Sequence, residues 1–289
     1  MTILLQNAVF GVLIGGLYGL GAVGLSLVFG VLAVLNVAHG ELIMLGGYVS
    51  VWLFTLWRVD PFVSVLAAGP VLFLGGAVLF RLLFTRLASY SEEVRIKNSI
   101  LIGFGLALVL QTLAILAWGA DERAVTPSYA GRVAAIGSIV VPLSRLGAMT
   151  LAFLVLGGLH LFLTRTRAGT ALRATADDDQ AAALVGIPIG RVYLIAFALG
   201  SALAGVAGAL VSVSDAISPA IGLGWTLKAL IVIVLGGMGN IFGTFVAGLF
   251  LGIAESMSGF LVGNAYREVV GLVMFLIVLS VRPRGLFSR

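Results

Sequence analysis

Apolar residues in this chain fall in long unbroken runs separated by short polar connections, and the runs show no strand-like alternation. Crossing a hydrocarbon core of roughly 30 Å takes about 20 helical residues, and runs of that order recur from one end to the other. They predict helices at 8–30, 41–57, 62–84, 98–118, 147–163, 192–213, 226–257 and 266–281, the seventh with an interruption. The expected fold is therefore all-α, a polytopic membrane protein of about eight transmembrane segments forming one transmembrane domain over 1–289. Unbroken runs also argue against a transmembrane barrel, whose strands alternate apolar and polar positions.

Two places break the pattern, and both predict broken or re-entrant helices. Near 31–41, LNVAHGELIML places Asn36, His39 and Glu41 between the first two runs, with Gly40 permitting a sharp turn. Near 235–243, LGGMGNIFG places Gly236, Gly237, Gly239 and Asn240 inside the seventh. Both segments read apolar half-helix, polar break, second helix, which hints at an internal repeat with Asn240 as the counterpart of Asn36. Broken helices at membrane depth are tolerated only against protein or a watery cavity, and paired interruptions point to a transport pathway. Asn36, His39, Gly40, Glu41, Gly236, Gly237, Gly239 and Asn240 are accordingly candidates for a translocation path or gate. The alternative is that Asn36 and Glu41 only cap helix ends. An ionised carboxylate at mid-membrane costs about 2.5–3.5 kcal/mol, so Glu41 is expected near an interface, paired or protonated.

Composition agrees with the pattern. The chain is 61% hydrophobic and 10% charged, and its 17 basic and 12 acidic residues are too few to coat a soluble domain of this size. Residues 1–7 lack the basic n-region of a signal peptide, so the first run is expected to persist as a helix. Eleven of the basic residues fall in three clusters: Arg81, Arg86, Arg95 and Lys97; Arg165, Arg167, Arg173 and Arg191; and Arg282, Arg284 and Arg289. The positive-inside rule assigns all three to the cytoplasm and explains a net charge of +5 without nucleic acid. Returning the tail to that side requires an odd number of crossings after 213, which the glycine break supplies by splitting 226–257 into a descending and a returning helix. The same count puts the loop 119–146 outside, as an extracytoplasmic cap.

The stretch 165–191, RTRAGTALRATADDDQAAALVGIPIGR, is a polar island in an apolar chain. Ala171–Val185 is rich in helix formers and ends at Gly186 and Pro188, a stop signal. It is expected to be one short exposed helix with an acidic portion at Asp177, Asp178 and Asp179 and an apolar one at Ala182, Leu184 and Val185. Apolar surface with no core to cover points to a docking partner. Small residues at four-residue spacing, in Gly11, Gly15 and Gly19, in Gly200, Ala204 and Gly208, and in Gly239, Gly243 and Ala247, mark faces where helices approach closely. Such faces serve packing within the subunit or between subunits.

Several chemistries find no support. Cysteine is absent, which excludes disulfides and thiolate chemistry. GGMGNIFG lacks the lysine of a nucleotide-binding P-loop, so no ATP site is expected in this chain. His39 and His160 are too far apart and too poorly accompanied to suggest a metal site, and no catalytic grouping is recognisable.

Three motifs, NVAHGELIMLGGYVS at 36–50, RAGTALRATADDDQAAALVGIPIGRV at 167–192 and LKALIVIVLGGMGNIFGTFVAGLFLGIAE at 227–255, occur in this order with a closing RPRGLF at 282–287. Together they resemble the inner-membrane permeases of branched-chain amino acid ABC importers, the LivH type, along nearly the whole chain. The resemblance implies a multi-pass protein of the bacterial inner membrane that pairs with a second permease (LivM type) or a second copy. It further implies two cytoplasmic ATPases that use ATP and Mg, and an extracytoplasmic solute-binding protein. It makes 165–191 a cytoplasmic coupling loop, with Arg173, Ala174, Asp177, Asp178, Asp179, Ala182, Leu184, Val185, Gly186 and Ile187 at the ATPase. LFTRLASYSEEVRIKN after the third run departs from the family's more proline- and arginine-rich stretch. Related permeases carry urea and short amides, which keeps the solute open. A lone ion-coupled transporter titrating at Glu41 and His39 is the reading from another class.

Overall fold

A computed structural model describes residues 2–137, 139–282 and 285–287. The eight apolar runs appear as nine helices. α1 (Thr2–Leu32), α2 (His39–Trp57), α3 (Pro61–Leu79), α4 (Glu92–Trp118) and α5 (Leu143–Arg165) come first. Two short helices, α6 (Arg167–Asp177) and α7 (Asp179–Leu184), precede α8 (Ile189–Val211), α9 (Ile221–Gly236), α10 (Ile241–Leu261) and α11 (Arg267–Val281). The seventh run is divided as expected, although α9 begins at Ile221, five residues before the predicted start. Among the described residues, seven helices are long and apolar enough to cross a membrane. At 16 and 15 residues, α9 and α11 reach only about 24 Å and 22 Å at 1.5 Å per residue.

Glycine decides which helices are central. Gly11, Gly15 and Gly19 bring α1 so close to α10 that a Cβ on any of them would meet backbone or ring atoms of Ile253, Leu249 or Phe245. Gly200 fits against Gly24 and Val28 of α1, Gly208 against Ile43 and Gly47 of α2, and Gly243 against Gly236. All three small-residue faces therefore pack inside this chain. Of the most apolar stretch of each helix, 83% is buried in α1 and 78% in α8, against 17% in α4 and 22% in α5, so α4 and α5 form an apolar rim around them. Phe80 and Phe84, at the end of α3, pack on Phe197 of α8 within the main core.

The bundle has two ends. One, the basic end, carries α6 and α7, the end of α1 and the 237–240 break, where Gly30 meets Gly239. Arg282 belongs to this end, while Arg284 and Arg289 of the same cluster lie outside the described residues. The opposite end carries the loop 119–142, which holds an antiparallel hairpin of β1 (Val133–Ile136) and β2 (Ile139–Pro142). That loop is tied down at Gln6, whose side chain donates to the Val140 carbonyl and accepts from its N–H. Arg123 exchanges backbone bonds with Ile217, and Tyr129 donates to Asp60 at 3.0 Å.

Candidate functional site

The chain leaves α1 at the basic end through Ala33, which adopts a left-handed conformation with φ 51°, and runs back without helix through 33–36 to a turn that opens α2 beside Gly21 and Gly24, at the centre of the bundle. Its backbone polar groups are satisfied by other helices. Leu35 N–H donates to Ser99 Oγ of α4 at 3.0 Å. Thr226 of α9 accepts from Gly40 N–H at 2.9 Å and donates to the Val37 carbonyl at 3.0 Å. Asn36 closes a local turn, its Oδ1 accepting from Ala38 N–H at 3.1 Å. His39 Nε2 lies 2.8 Å from the Gly21 carbonyl, to which its N–H donates. Asn36, His39, Gly40 and Glu41 thus form one buried cluster, with Ser99 and Thr226 supplied from distant sequence. Nothing local in the sequence links those two residues to the break.

Glu41 does not cap. It is 2% exposed, its Oε2 has no hydrogen-bond partner, and its carboxyl lies against Gly222, where a Cβ would overlap it. Glu41 is in the first turn of α2 and Gly222 in the first turn of α9. These helices leave in opposite directions, α2 toward the hairpin and α9 toward the basic end. Two positive helix ends therefore face one carboxyl group, which is the physical reason an acidic residue suits this position.

The second break is built differently. Asn240 caps α10, its Oδ1 accepting from Gly243 N–H at 2.9 Å, while its Nδ2 donates to the Phe287 carbonyl at 2.8 Å. Leu286 N–H donates to the Leu235 carbonyl at 2.9 Å. Gly237 and Gly239 have φ of 89° and 84°, and the chain end approaches so closely that a Cβ on Gly285 would fall 2.5 Å from Gly237 Cα. Gly236 is packed against Thr244 of α10.

At the basic end the expected single helix over 171–185 is two. Asp178 is extended (φ −159°, ψ 108°), and its Oδ1 accepts from Gln180 and Ala181 N–H at 2.9 Å each, starting α7. The three aspartates consequently sit in three different settings. Asp177 is exposed, Asp178 caps, and Asp179 pins α7 to the bundle. Asp179 accepts from Tyr193 Oη at 2.7 Å and pairs with Arg95 Nη2 at 3.2 Å, while Arg95 Nη1 donates to Tyr193 Oη at 2.6 Å. The Tyr193 hydroxyl holds the Asp179 carboxyl below its usual range; partial burial opposes it, and Arg95 adds to the lowering. Arg173 donates to the Leu163 carbonyl at 3.0 Å. Ala182 is buried, Ala174 and Ile187 are half-buried, and Leu184 and Val185 are 89% and 78% exposed beside Gly186, whose φ is 87°.

A further polar group escapes motif reading. Glu255 of α10, 1% exposed, accepts from Tyr18 Oη at 2.8 Å and lies 3.5 Å from both Lys228 and Arg267. The detectable signal was an ionisable residue within a predicted span: Lys228 and Glu255 both fall inside 226–257, and such residues are expensive there unless used.

A helical bundle of this depth, with two helices, α2 and α9, that begin at its core and a pinned helix pair at one end, defines a multi-pass membrane permease. The family described as branched-chain amino acid transport system, permease component, matches residues 7–279, and the chain belongs to it. It is 32% identical to the high-affinity branched-chain amino acid transport system permease protein BraD of Pseudomonas aeruginosa, over 99% of this chain and 96% of that one. It is also 32% identical to the corresponding protein LivH of Escherichia coli K12, with the same coverage. A shorter similarity, 31% over 41% of this chain and 40% of the other, links it to the ribose import permease protein RbsC of Escherichia coli K12. No solved structure matches. The chain is therefore a multi-pass inner-membrane protein and the permease component of a multi-subunit transport system.

Proposed function

We propose that this chain is the permease subunit of an ATP-driven importer for branched-chain amino acids. It pairs with a second permease of similar kind, receives solute from an extracytoplasmic binding protein, and is driven by two cytoplasmic ATPases that bind ATP and Mg. The basic end faces the cytoplasm, in line with the positive-inside rule, and the hairpin loop faces the binding protein.

The observation that carries this reading is the bare apolar tip at Leu184 and Val185 on a helix otherwise fixed to the bundle. A merely solvated loop would not expose two large apolar side chains on an element held by an ion pair to α4 and a hydrogen bond to α8. A rigid attachment with an unfilled apolar end transmits displacement. ATPase closure pushing on α7 reaches α4 through Arg95 and α8 through Tyr193, and α8 packs against α1 and α2, the helices that flank the central break.

Leu184→Asp tests the docking role. The variant should insert and fold, since the side chain touches little of the chain, yet lose about tenfold or more of its ATPase association, as expected for a desolvated apolar anchor. Recovery of ATPases with the variant at the wild-type ratio, together with normal leucine uptake, would remove the tip from the coupling role.

A further inference from the structure

A cavity of about 580 Å³ opens at the hairpin end between α1, the α8–α9 connection, the first two turns of α9 and the start of α11. This volume is within the usual range of small-molecule sites, about 300–1,000 Å³. Its lining has both signs of charge: Lys228 and Arg267, Asp215 and Glu268. It also has an apolar side, with Ile14 and Trp225; the Trp225 ring is held edge-on by Tyr18, centroids 5.5 Å apart.

Charge counting gives the cavity its chemistry. Buried Glu255 is shared by two cations, Lys228 and Arg267, so these three groups carry one more positive charge than negative. An ammonium has three donors; Lys228 directs one to Tyr18 Oη at 3.0 Å and another toward Glu255, which leaves a third for the cavity. Asp215 and Glu268 lie exposed on the cavity wall. Two half-buried cations and two exposed carboxylates, on a lining that also holds Ile14 and Trp225, are complementary to a zwitterion bearing an apolar side chain.

We infer that this cavity is an amino-acid site within the permease itself. The α-carboxylate of the solute is held by Lys228 and Arg267, its α-ammonium by Asp215 and Glu268, and its side chain by Ile14 and Trp225. This deepens the importer reading and rests on it. The cavity also borders the turns of α9 whose other face supplies Gly222 and Thr226 to the central break. An occupant therefore bears on the helix that closes the path.

The test uses the complete importer, with its second permease and ATPases, in nanodiscs without the binding protein, and measures binding of radiolabelled L-leucine. In parallel, uptake is measured in proteoliposomes with the binding protein and internal ATP. Wild type should bind leucine, with displacement by other neutral amino acids but by neither 4-methylpentanoate nor isoamylamine, each of which lacks one charge. Asp215→Asn with Glu268→Gln, and separately Lys228→Gln, should weaken binding about tenfold or more, while Lys228→Arg restores most of it. Equal recovery of ATPase subunits with each variant checks assembly. If wild type imports leucine but binds none without the binding protein, or if the charge variants bind as tightly as wild type, the cavity is not a solute site. If wild type assembles with no ATPase or imports no branched-chain amino acid, the importer reading itself falls, and the site with it.

Discussion

The two helix breaks share a sequence pattern and differ in what closes them. The break after α1 is sealed from outside its own segment, by Ser99 of α4 and Thr226 of α9, and it buries an unpartnered carboxyl oxygen at Glu41. The break between α9 and α10 is sealed by its own cap, Asn240, and by the returning chain end at 285–287. The first break thus depends on the relative placement of three helices and loses backbone partners if any one shifts. The second moves as a unit with its tail. A helix displacement driven from the basic end would therefore be felt at the first break, where α2 and α9 begin nose to nose around Glu41.

The largest expected effect that would sharpen this contrast is at Gly40. A Cβ there would collide with the Gly222 carbonyl and with Thr226, so Gly40→Ala should cost about 3 kcal/mol or more and lower folded yield in detergent. Gly224→Ala, at a glycine with open space beside it, serves as the control. Equal thermal stability of the two variants would mean that the helix starts are not in close contact.

Thr226→Val removes one hydroxyl of nearly unchanged shape and strands both Gly40 N–H and the Val37 carbonyl. Each buried group left unpaired costs about 1–3 kcal/mol, so a loss of about 2 kcal/mol or more is expected in thermal or chemical denaturation. A change within error would show that the first break is held by packing alone.

Asn240→Ala should cost less, about 1 kcal/mol for a lost N-cap, with faster amide exchange confined to the first turn of α10 and to 285–287. A loss as large as that of Thr226→Val would erase the distinction between a break sealed by its own cap and the chain end and one sealed by neighbouring helices.

The smallest effect concerns pH. Because the folded Asp179 carboxyl is held below its usual range, its bonds stabilise the docked α7 fully above the ordinary carboxylate pKa of about 4. That contribution is lost only as pH falls through the lowered folded value. Amide exchange in α7, corrected for its intrinsic pH dependence, should be the same at pH 7 and pH 5 and should rise only in stronger acid. Release of α7 between pH 7 and pH 5 would mean that another group holds it.

Much of this architecture was legible from sequence. A lipid-facing helix must be apolar over its length, so composition alone located the spans. Glycine and asparagine in an apolar run mark both breaks, since backbone left unpaired in a membrane is costly. The aspartate run was placed within one helix, whereas Asp178 divides it into two, because capping and ion pairing depend on where each carboxyl points. Ser99 and Thr226 were invisible for a related reason: a hydroxyl in an apolar helix acquires its role only from the segment folded against it.

The amino-acid sequence by itself determined the all-α membrane class, the family, the two breaks and the polar island, because hydropathy and backbone propensity act over neighbouring residues. The tertiary structure alone decided that the small-residue faces pack inward and that Asp179 is an anchor. It also decided that Glu41 lies between two helix starts, and that Tyr18, Lys228, Glu255 and Arg267 form one charged group. Each of these is a contact between residues distant in sequence, and a charge or a close approach acts through space, over a few ångströms, whatever the separation along the chain.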